Sequence, residues 1–422
     1  MIRKIIYAIC FLSFLIDNGL AQSLKSVTLK HCEDSAKVNS PLLNQNNILH
    51  QVLDLNQQNL KANYYPSFDL SGQATYQSAT FELPFEIPNF NIPDVPKDQY
   101  KIAIDAKQLI YDGGYYKAQL NVYETNEKTE EQKIAVEEYK LKDKVNQLYF
   151  SVLLQNSLMQ LTTVMRYDLI NKQLKIKAGI DNGVANDFNN DMIKAELLKA
   201  EQKMTEYKAA KSAAVNSLAL LTGLKIDTST YFSSPVVSEF SKPFPRPELA
   251  LFTLQQENLL SLQQLNQVQR MPKVFAFAQG GYGRPAFNQF DPRFQPFYIV
   301  GLKLTWNIWN WNVTTRQNQI LQLNAGGIKI QQELFEQNIQ LQQIQQSAEV
   351  DKLQKLIALD GQIVKLKKSI ADEIYFQASA GAVTMLDYAT AVNDQNQAEQ
   401  QERIHKLQLL FMQINLLTTQ GN

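Results

Sequence analysis

The stretch LIYDGGYYKAQL, residues 109–120, joins two segments with different hydrophobic periods. From Tyr100 to Lys107 apolar and polar residues alternate, which is the pattern of a half-buried β-strand. From about Gly114 to Ala178 apolar residues recur every three to four positions, which predicts a long α-helix. We therefore predict that a strand ends near Tyr111 and that the chain continues directly as a helix.

The residues after Tyr111 suit this junction. Asp112 can cap the helix, and Gly113 and Gly114 can adopt backbone conformations that other residues avoid. A second stretch, WNIWNWNVTTRQ (residues 306–317), lies at the same kind of junction, between a strand pattern that starts at Tyr298 and another long helical pattern. The chain is therefore expected to contain two strand-to-helix joints.

The two joints belong to a sequence repeat. Tyr100 and Tyr298, which open the strand patterns, are 198 positions apart, and so are Gly183 and Gly381, which interrupt the helical patterns. Packed helices require such constant spacing, because one inserted residue rotates a helix face by about 100°. Each repeat is predicted to consist of a helix, two strands, a long helix and a further helix.

The N-terminus has the pattern of a secretory signal. Arg3 and Lys4 precede a short apolar run, and we expect cleavage after Ala21. Cys32 is then the remaining cysteine, and we expect it to be a small buried filler. We divide the chain into a signal peptide (1–21), a first repeat (22–225), a linker (226–246) and a second repeat (247–422).

The strand patterns fit either a soluble sheet or membrane-spanning strands. In SFDLSGQATYQ, residues 67–77, apolar and polar side chains alternate over about 10 residues, as membrane strands do. Four strands cannot close, because the smallest membrane barrels have about eight strands and an open edge is not tolerated in lipid. Two chains would supply eight strands and three chains would supply twelve.

The helical segments are unusually long. Apolar residues of the second long helix follow the alternating steps of a coiled-coil seam at Leu356, Leu359, Ile363, Leu366 and Ile370. Shorter helices are expected near residues 25–62, 188–222, 247–270 and 383–417. Trp306, Trp309 and Trp311 cluster at the second joint, which favours a membrane-interface girdle over a packed core cluster.

These features together resemble the TolC-like outer-membrane efflux protein family. The resemblance is carried by the tandem repeat, NYYPSFDLSGQATY (63–76), RMPKVFAFAQGGYG (270–283), LIYDGG (109–114), NSLALLTGL (216–224) and the segment that starts at Ala380. It implies a homotrimer in the cell outer membrane, in contact with outer-membrane lipid. In such a trimer, long antiparallel coiled-coil helices form a periplasmic α-barrel that continues a 12-stranded transmembrane β-barrel shared by three chains.

The same resemblance implies partners and functional positions. A periplasmic adaptor protein would connect the channel to an inner-membrane pump, and the channel would export small molecules or secreted proteins. Adaptor contact is expected at two helical tips, around Gly183 and Val184 and around Gly381 and Val383. Asp387, Asn189 and Thr390 are candidates for a pore constriction, and Asp387 is also placed to cap a helix.

Other functional classes find little support. The charges balance, with 41 basic and 41 acidic residues, so no nucleic-acid partner is expected. His31, His50 and His405 lie far apart in the sequence, so we predict no enzyme, no cofactor and no metal site. The main alternative is a secreted or periplasmic coiled-coil scaffold without a channel, and an envelope enzyme is a more distant one.

Overall fold

The computed structural model describes residues 26–81, 95–182, 186–237, 246–289 and 291–421. The fold is mainly helical, with one small sheet. The elements in chain order are α1 (Leu29–Asn39), α2 (Leu42–Ala62), β1 (Ser67–Tyr76), β2 (Asp98–Tyr111), α3 (Tyr115–Asp181), α4 (Asp187–Thr222), α5 (Pro247–Val268), β3 (Lys273–Arg284), β4 (Gln295–Thr305), α6 (Val313–Ser379) and α7 (Met385–Thr419).

This element order confirms the predicted strands and both long helices, with one correction. A single helix was expected near residues 25–62, but the structure has α1 and α2, separated at Ser40 and Pro41. Ser40 is extended, with φ −67° and ψ 131°, because proline disfavours the helical conformation of the residue before it. The signal peptide lies outside the described residues.

The chain forms two compact units. One contains residues 44–135 and 247–334, and the other contains the remaining segments. The first unit holds an antiparallel sheet in the order β1-β2-β3-β4, so β1 and β4 are its edges. The register pairs Leu70 with Ile104, Ile104 with Gly280 and Gly280 with Tyr298. One face of the sheet is consequently apolar across all four strands.

The apolar face is largely exposed in the single chain. Phe68, Leu70, Tyr298 and Leu302 each have 69% or more of their surface accessible. The opposite face carries a polar network, in which Ser71 donates to the Asp105 carboxylate and Lys101 donates to the Gln279 side chain. The two faces therefore differ sharply in polarity.

Two phenylalanines of β3 interrupt this division of polarity. Phe275 and Phe277 lie on the polar face, as the sequence pattern indicated. The Lys107 ammonium lies 4.5 Å from the centre of the Phe275 ring, and the Phe277 ring covers Gly301, where a Cβ would be 2.8 Å from it. The Phe275 ring therefore packs against Lys107, and the Phe277 ring fills the space above Gly301.

The second unit contains the larger hydrophobic core. Cys32, Tyr149 and Val215 are fully buried there, in a cluster that joins α1, α3 and α4. Cys32 is buried and unpaired, as expected of a small filler, and burial raises the pKa of its thiol to about 12. The Tyr149 hydroxyl lies 2.7 Å from the carbonyl oxygens of Val27 and Ser233, so it fixes the segment after α4 against the N-terminal segment.

Candidate functional site

The first strand-to-helix joint is built around Asp112. Its carboxylate accepts hydrogen bonds from the backbone N–H groups of Gly114 (2.8 Å) and Tyr116 (2.6 Å), so it caps α3 as the sequence predicted. Burial by itself would raise the pKa of this carboxyl. The hydrogen bonds from the Tyr116 amide, the Tyr64 hydroxyl and the Gly114 amide outweigh burial and hold the pKa below its usual value.

The two glycines of this joint have separate functions. Both have left-handed backbones, with φ 71° at Gly113 and 89° at Gly114. At Gly113 a Cβ would lie 2.5 Å from the Cβ of Met271, whereas at Gly114 the nearest atom would be 4.0 Å away. Gly113 is therefore required for both conformation and space, and Gly114 is required for conformation alone.

The second joint has the same backbone geometry with different residues. Trp311 and Asn312 are left-handed, with φ 53° and 61°, and they lie one repeat after Gly113 and Gly114. Asn310 occupies the position of Asp112, and its carbonyl accepts a hydrogen bond from the Val313 N–H. Sequence reasoning missed this conformation, because tryptophan and asparagine do not signal a left-handed pair as glycine does.

The three tryptophans lie at the surface of the single chain. Trp306, Trp309 and Trp311 are between 56% and 76% exposed, and the rings of Trp309 and Trp311 pack edge to face with centres 5.9 Å apart. Their exposure argues against the alternative of a packed core cluster within one chain. The membrane girdle itself stays a prediction.

Only one of the two predicted tips can be described. Gly183 and Val184 lie outside the described residues. Gly381, two residues after the end of α6, has φ 78°. The Ala382 N–H donates to the Gln377 carbonyl, and the Gly381 N–H donates to the Ala378 carbonyl. This is the glycine-dependent termination that was expected there. Val383 follows in the turn and is partly exposed.

Asp387 forms a capping box at the start of α7. Its N–H donates to the Thr384 hydroxyl at 3.2 Å, and its carboxylate accepts from the Thr384 N–H at 3.0 Å. The hydrogen bonds from Thr384 hold the pKa of the Asp387 carboxyl below its usual value. Asp387 thus has the helix-capping role considered from the sequence, and its place in a pore stays a prediction.

The other two constriction candidates are also engaged at a helix start. The Thr390 hydroxyl donates to the Leu386 carbonyl at 3.0 Å within α7. The Asn189 N–H donates to the side chain of Asn186, which caps α4, so Asn189 and Asp387 occupy the same position in their helices. These contacts fix the backbone at both helix starts.

A partly buried cluster beneath this tip was not predicted from the sequence. The Lys172 ammonium of α3 lies 2.7 Å from the Asp168 carboxylate and about 5 Å from the ring centres of Tyr375 and Tyr388. Tyr388 is fully buried, and burial raises its pKa. The cluster joins α3, α6 and α7. In the sequence, one feature pointed to this cluster, namely that Tyr388 directly follows Asp387.

No helix within the described part of the chain combines the length and apolarity needed to cross a membrane.

A family model described as "Outer membrane efflux protein" matches residues 34–224. Comparison with curated protein sequences finds no match.

Solved structures match over nearly the whole chain. CusC, described in work on transmembrane channel formation, matches with a TM-score of 0.70 and 14% identity, covering 97% of this chain and 96% of that one. The outer membrane protein VceC of Vibrio cholerae matches with a TM-score of 0.64 and 14% identity, covering 93% and 96%. The MtrE outer membrane channel of Neisseria gonorrhoeae matches with a TM-score of 0.64 and 13% identity, covering 93% and 89%.

At these identities the structural matches show the fold, and the family model adds the sequence relationship over the first repeat. The two agree with each other and with the resemblance inferred from the residues. Residues 34–224 of the chain are therefore similar in sequence to the outer membrane efflux protein family, and the chain as a whole has the fold of the CusC, VceC and MtrE structures.

Proposed function

We propose that the chain is the exit duct of a tripartite export system and that it acts as a homotrimer. The observation that carries this proposal is the four-stranded sheet with an exposed apolar face. Its two edge strands, β1 and β4, have backbone groups that another strand can pair with. Three copies joined edge to edge would make a 12-stranded barrel whose apolar face contacts lipid.

The long helices would continue this barrel into the periplasm. Each repeat supplies one 67-residue helix, α3 or α6. In α6 the seam residues Leu359, Ile363, Leu366 and Ile370 are 45% or more exposed in the single chain. A coiled-coil seam left uncovered in this way favours packing against further helices in an assembly.

The proposed partners are a periplasmic adaptor and, through it, an inner-membrane pump. The two turns that would contact the adaptor contain Gly183 with Val184 and Gly381 with Val383. Asp387 would form a ring of three carboxylates in the trimer, with Thr390 and Asn189 nearby. Such a ring would favour cations over anions at a constriction.

The mass of the protein tests the assembly. The mature chain would be extracted from outer membranes in mild detergent and measured by light scattering with correction for bound detergent. We expect three chains per particle. A soluble monomer, or a protein missing from the outer membrane, would instead favour the periplasmic coiled-coil scaffold.

Ion selectivity in planar bilayers tests the constriction. Asp387→Asn should lower the preference for cations, because it removes three charges from the ring. Asp351→Asn, which removes an exposed carboxylate from the middle of α6, is the matched control. Equal selectivity in wild type and Asp387→Asn would remove Asp387 from the constriction while leaving the trimer intact.

A further inference from the structure

A histidine and two glutamates meet on the surface of the sheet-containing unit. His50 lies on α2, and Glu127 and Glu131 lie one turn apart on α3. The ligand atoms of the three side chains all lie within 4.8 Å of one another. The cluster contains no residue of the strands, the joints or the tips, so the proposed export function does not use it.

The imidazole of His50 lies between the two carboxylates. Nδ1 is 2.8 Å from Oε1 of Glu127, and Nε2 is 3.5 Å from Oε1 of Glu131. A neutral imidazole has a single N–H, so it can donate to only one of these carboxylates. A protonated imidazole would donate to both carboxylates, and in the neutral form the second ring nitrogen has a lone pair that can bind a metal ion instead of a proton.

The two glutamates also repel each other. Carboxylates four residues apart on one helix face are neighbours, and like charges at this spacing destabilise a helix. Nearby Glu130 is paired with Lys133, whereas Glu127 and Glu131 both contact the His50 imidazole. A divalent cation would neutralise both carboxylates at once.

Access and chemistry both suit a transition-metal ion. The His50 side chain is 61% exposed and the Glu131 side chain is 37% exposed, so an ion can reach the cluster from solvent, while the Glu127 side chain is 13% exposed. Imidazole with carboxylates is a ligand set for Zn²⁺ and similar borderline ions, whereas Mg²⁺ and Ca²⁺ prefer oxygen ligands alone. Three protein ligands would leave a coordination position for water.

We propose that His50, Glu127 and Glu131 bind a divalent transition-metal cation, best represented by Zn²⁺, and that the ion links α2 to α3. The site uses residues of one chain only. Its test is therefore independent of the trimer and of the export function.

Zinc binding to the purified chain tests the proposal. The full mature protein, in detergent, free of any affinity tag and stripped of metal, would be titrated with Zn²⁺ in a calorimeter. We expect one Zn²⁺ per chain. His50→Ala, Glu127→Gln and Glu131→Gln should each weaken zinc binding by about 10- to 100-fold or more, since even outer-shell changes have effects of that size.

Two matched variants control for surface effects. His31→Ala removes another exposed histidine, on α1, and Glu130→Gln removes the neighbouring glutamate that is paired with Lys133. Both should bind Zn²⁺ as wild type does. Circular dichroism of every variant would establish that the helices are retained.

A second measurement follows from the link between helices. Because a ligand that binds only the folded state stabilises it, Zn²⁺ should raise the midpoint of thermal unfolding in wild type and in both controls, but not in His50→Ala. Mg²⁺ should have no such effect. The proposal is overturned if the stripped protein binds no Zn²⁺, if Glu127→Gln binds it unchanged, or if Mg²⁺ competes equally.

Discussion

The two strand-to-helix joints reach one backbone geometry from two different sequences. At the first joint, Gly113 and Gly114 are left-handed, and at the second, Trp311 and Asn312 are left-handed. Glycine adopts this conformation freely, but an L side chain there costs about 1–2 kcal/mol per residue. The two repeats therefore share the backbone conformation of the bend but not its residues. At the second joint, an aromatic residue lies in the bend and the backbone is strained.

Among variants at the two joints, substitution of Gly113 should have the largest effect on stability. Gly113→Ala adds a Cβ at a left-handed residue and places it 2.5 Å from the Cβ of Met271. We expect a loss of roughly 3 kcal/mol in the free energy of unfolding, from backbone strain and overpacking together. Gly114→Ala, where the nearest atom is 4.0 Å away, should lose only about 1–2 kcal/mol.

Denaturant unfolding in detergent measures both variants. Equal losses for the two alanine substitutions would show that space at Gly113 does not matter.

Loss of the Asp112 cap should have the next largest effect. Asp112→Asn keeps the shape but weakens two charge-assisted hydrogen bonds to backbone N–H groups, and we expect a loss of about 1–2 kcal/mol at neutral pH. Asn310→Ala, at the equivalent position of the second joint, should lose less, since the Asn310 side chain makes a neutral hydrogen bond, from Nδ2 to the Thr314 hydroxyl, instead of charge-assisted ones.

The pH dependence gives a second check on Asp112. Its folded-state pKa is lowered, so its contribution to stability is fully present above the unfolded-state pKa of about 3.9. That contribution is lost as the pH falls through the lower, folded-state pKa. The difference in stability between wild type and Asp112→Asn should therefore be constant above about pH 5 and shrink in acid. A difference that grew in acid would contradict this assignment.

Relief of strain at the second joint should have a smaller effect of opposite sign. Asn312→Gly should raise stability by up to about 1 kcal/mol, because glycine removes the penalty of the left-handed backbone. The reciprocal change, Gly114→Asn, should lower stability by a similar amount. If Asn312→Gly is destabilising, the asparagine side chain makes a contribution that exceeds the strain.

The tryptophans allow a test with almost no effect on stability. All three tryptophans of the chain lie at the second joint, so intrinsic fluorescence reports on this region alone. In reconstituted vesicles, lipids brominated near the headgroup should quench this fluorescence more than lipids brominated at the chain ends. Equal quenching by both lipids, or none, would argue against a girdle at the membrane interface.

Much of the fold was predictable because its signals are local and periodic. Strand alternation from Tyr100 and helical periodicity after Gly114 placed the elements within a few residues, and LIYDGG marked the joint between them. The one helix that was wrongly joined, over residues 25–62, contains Pro41, whose effect on Ser40 is itself local. The repeat boundaries and the assembly into a trimer remain predictions.

The candidate sites were less predictable because they depend on which helices meet. Asp387 was expected at a helix start and lies there, but its buried neighbour Tyr388 and the lysine beneath it come from segments more than 200 residues apart. Trp311 and Asn312 were expected in a joint, and their left-handed conformation became visible only in the structure.

The sequence by itself determined the order of strands and helices, the two joints and the helix caps at Asp112 and Asp387, since each depends on residues a few positions apart. Tertiary structure alone decided that His50 of α2 meets Glu127 and Glu131 of α3, 77 and 81 positions away in the chain. The physical reason is that periodicity shows which face of a helix is buried but not which other helix covers it, so a site made by two helices has no signature in either.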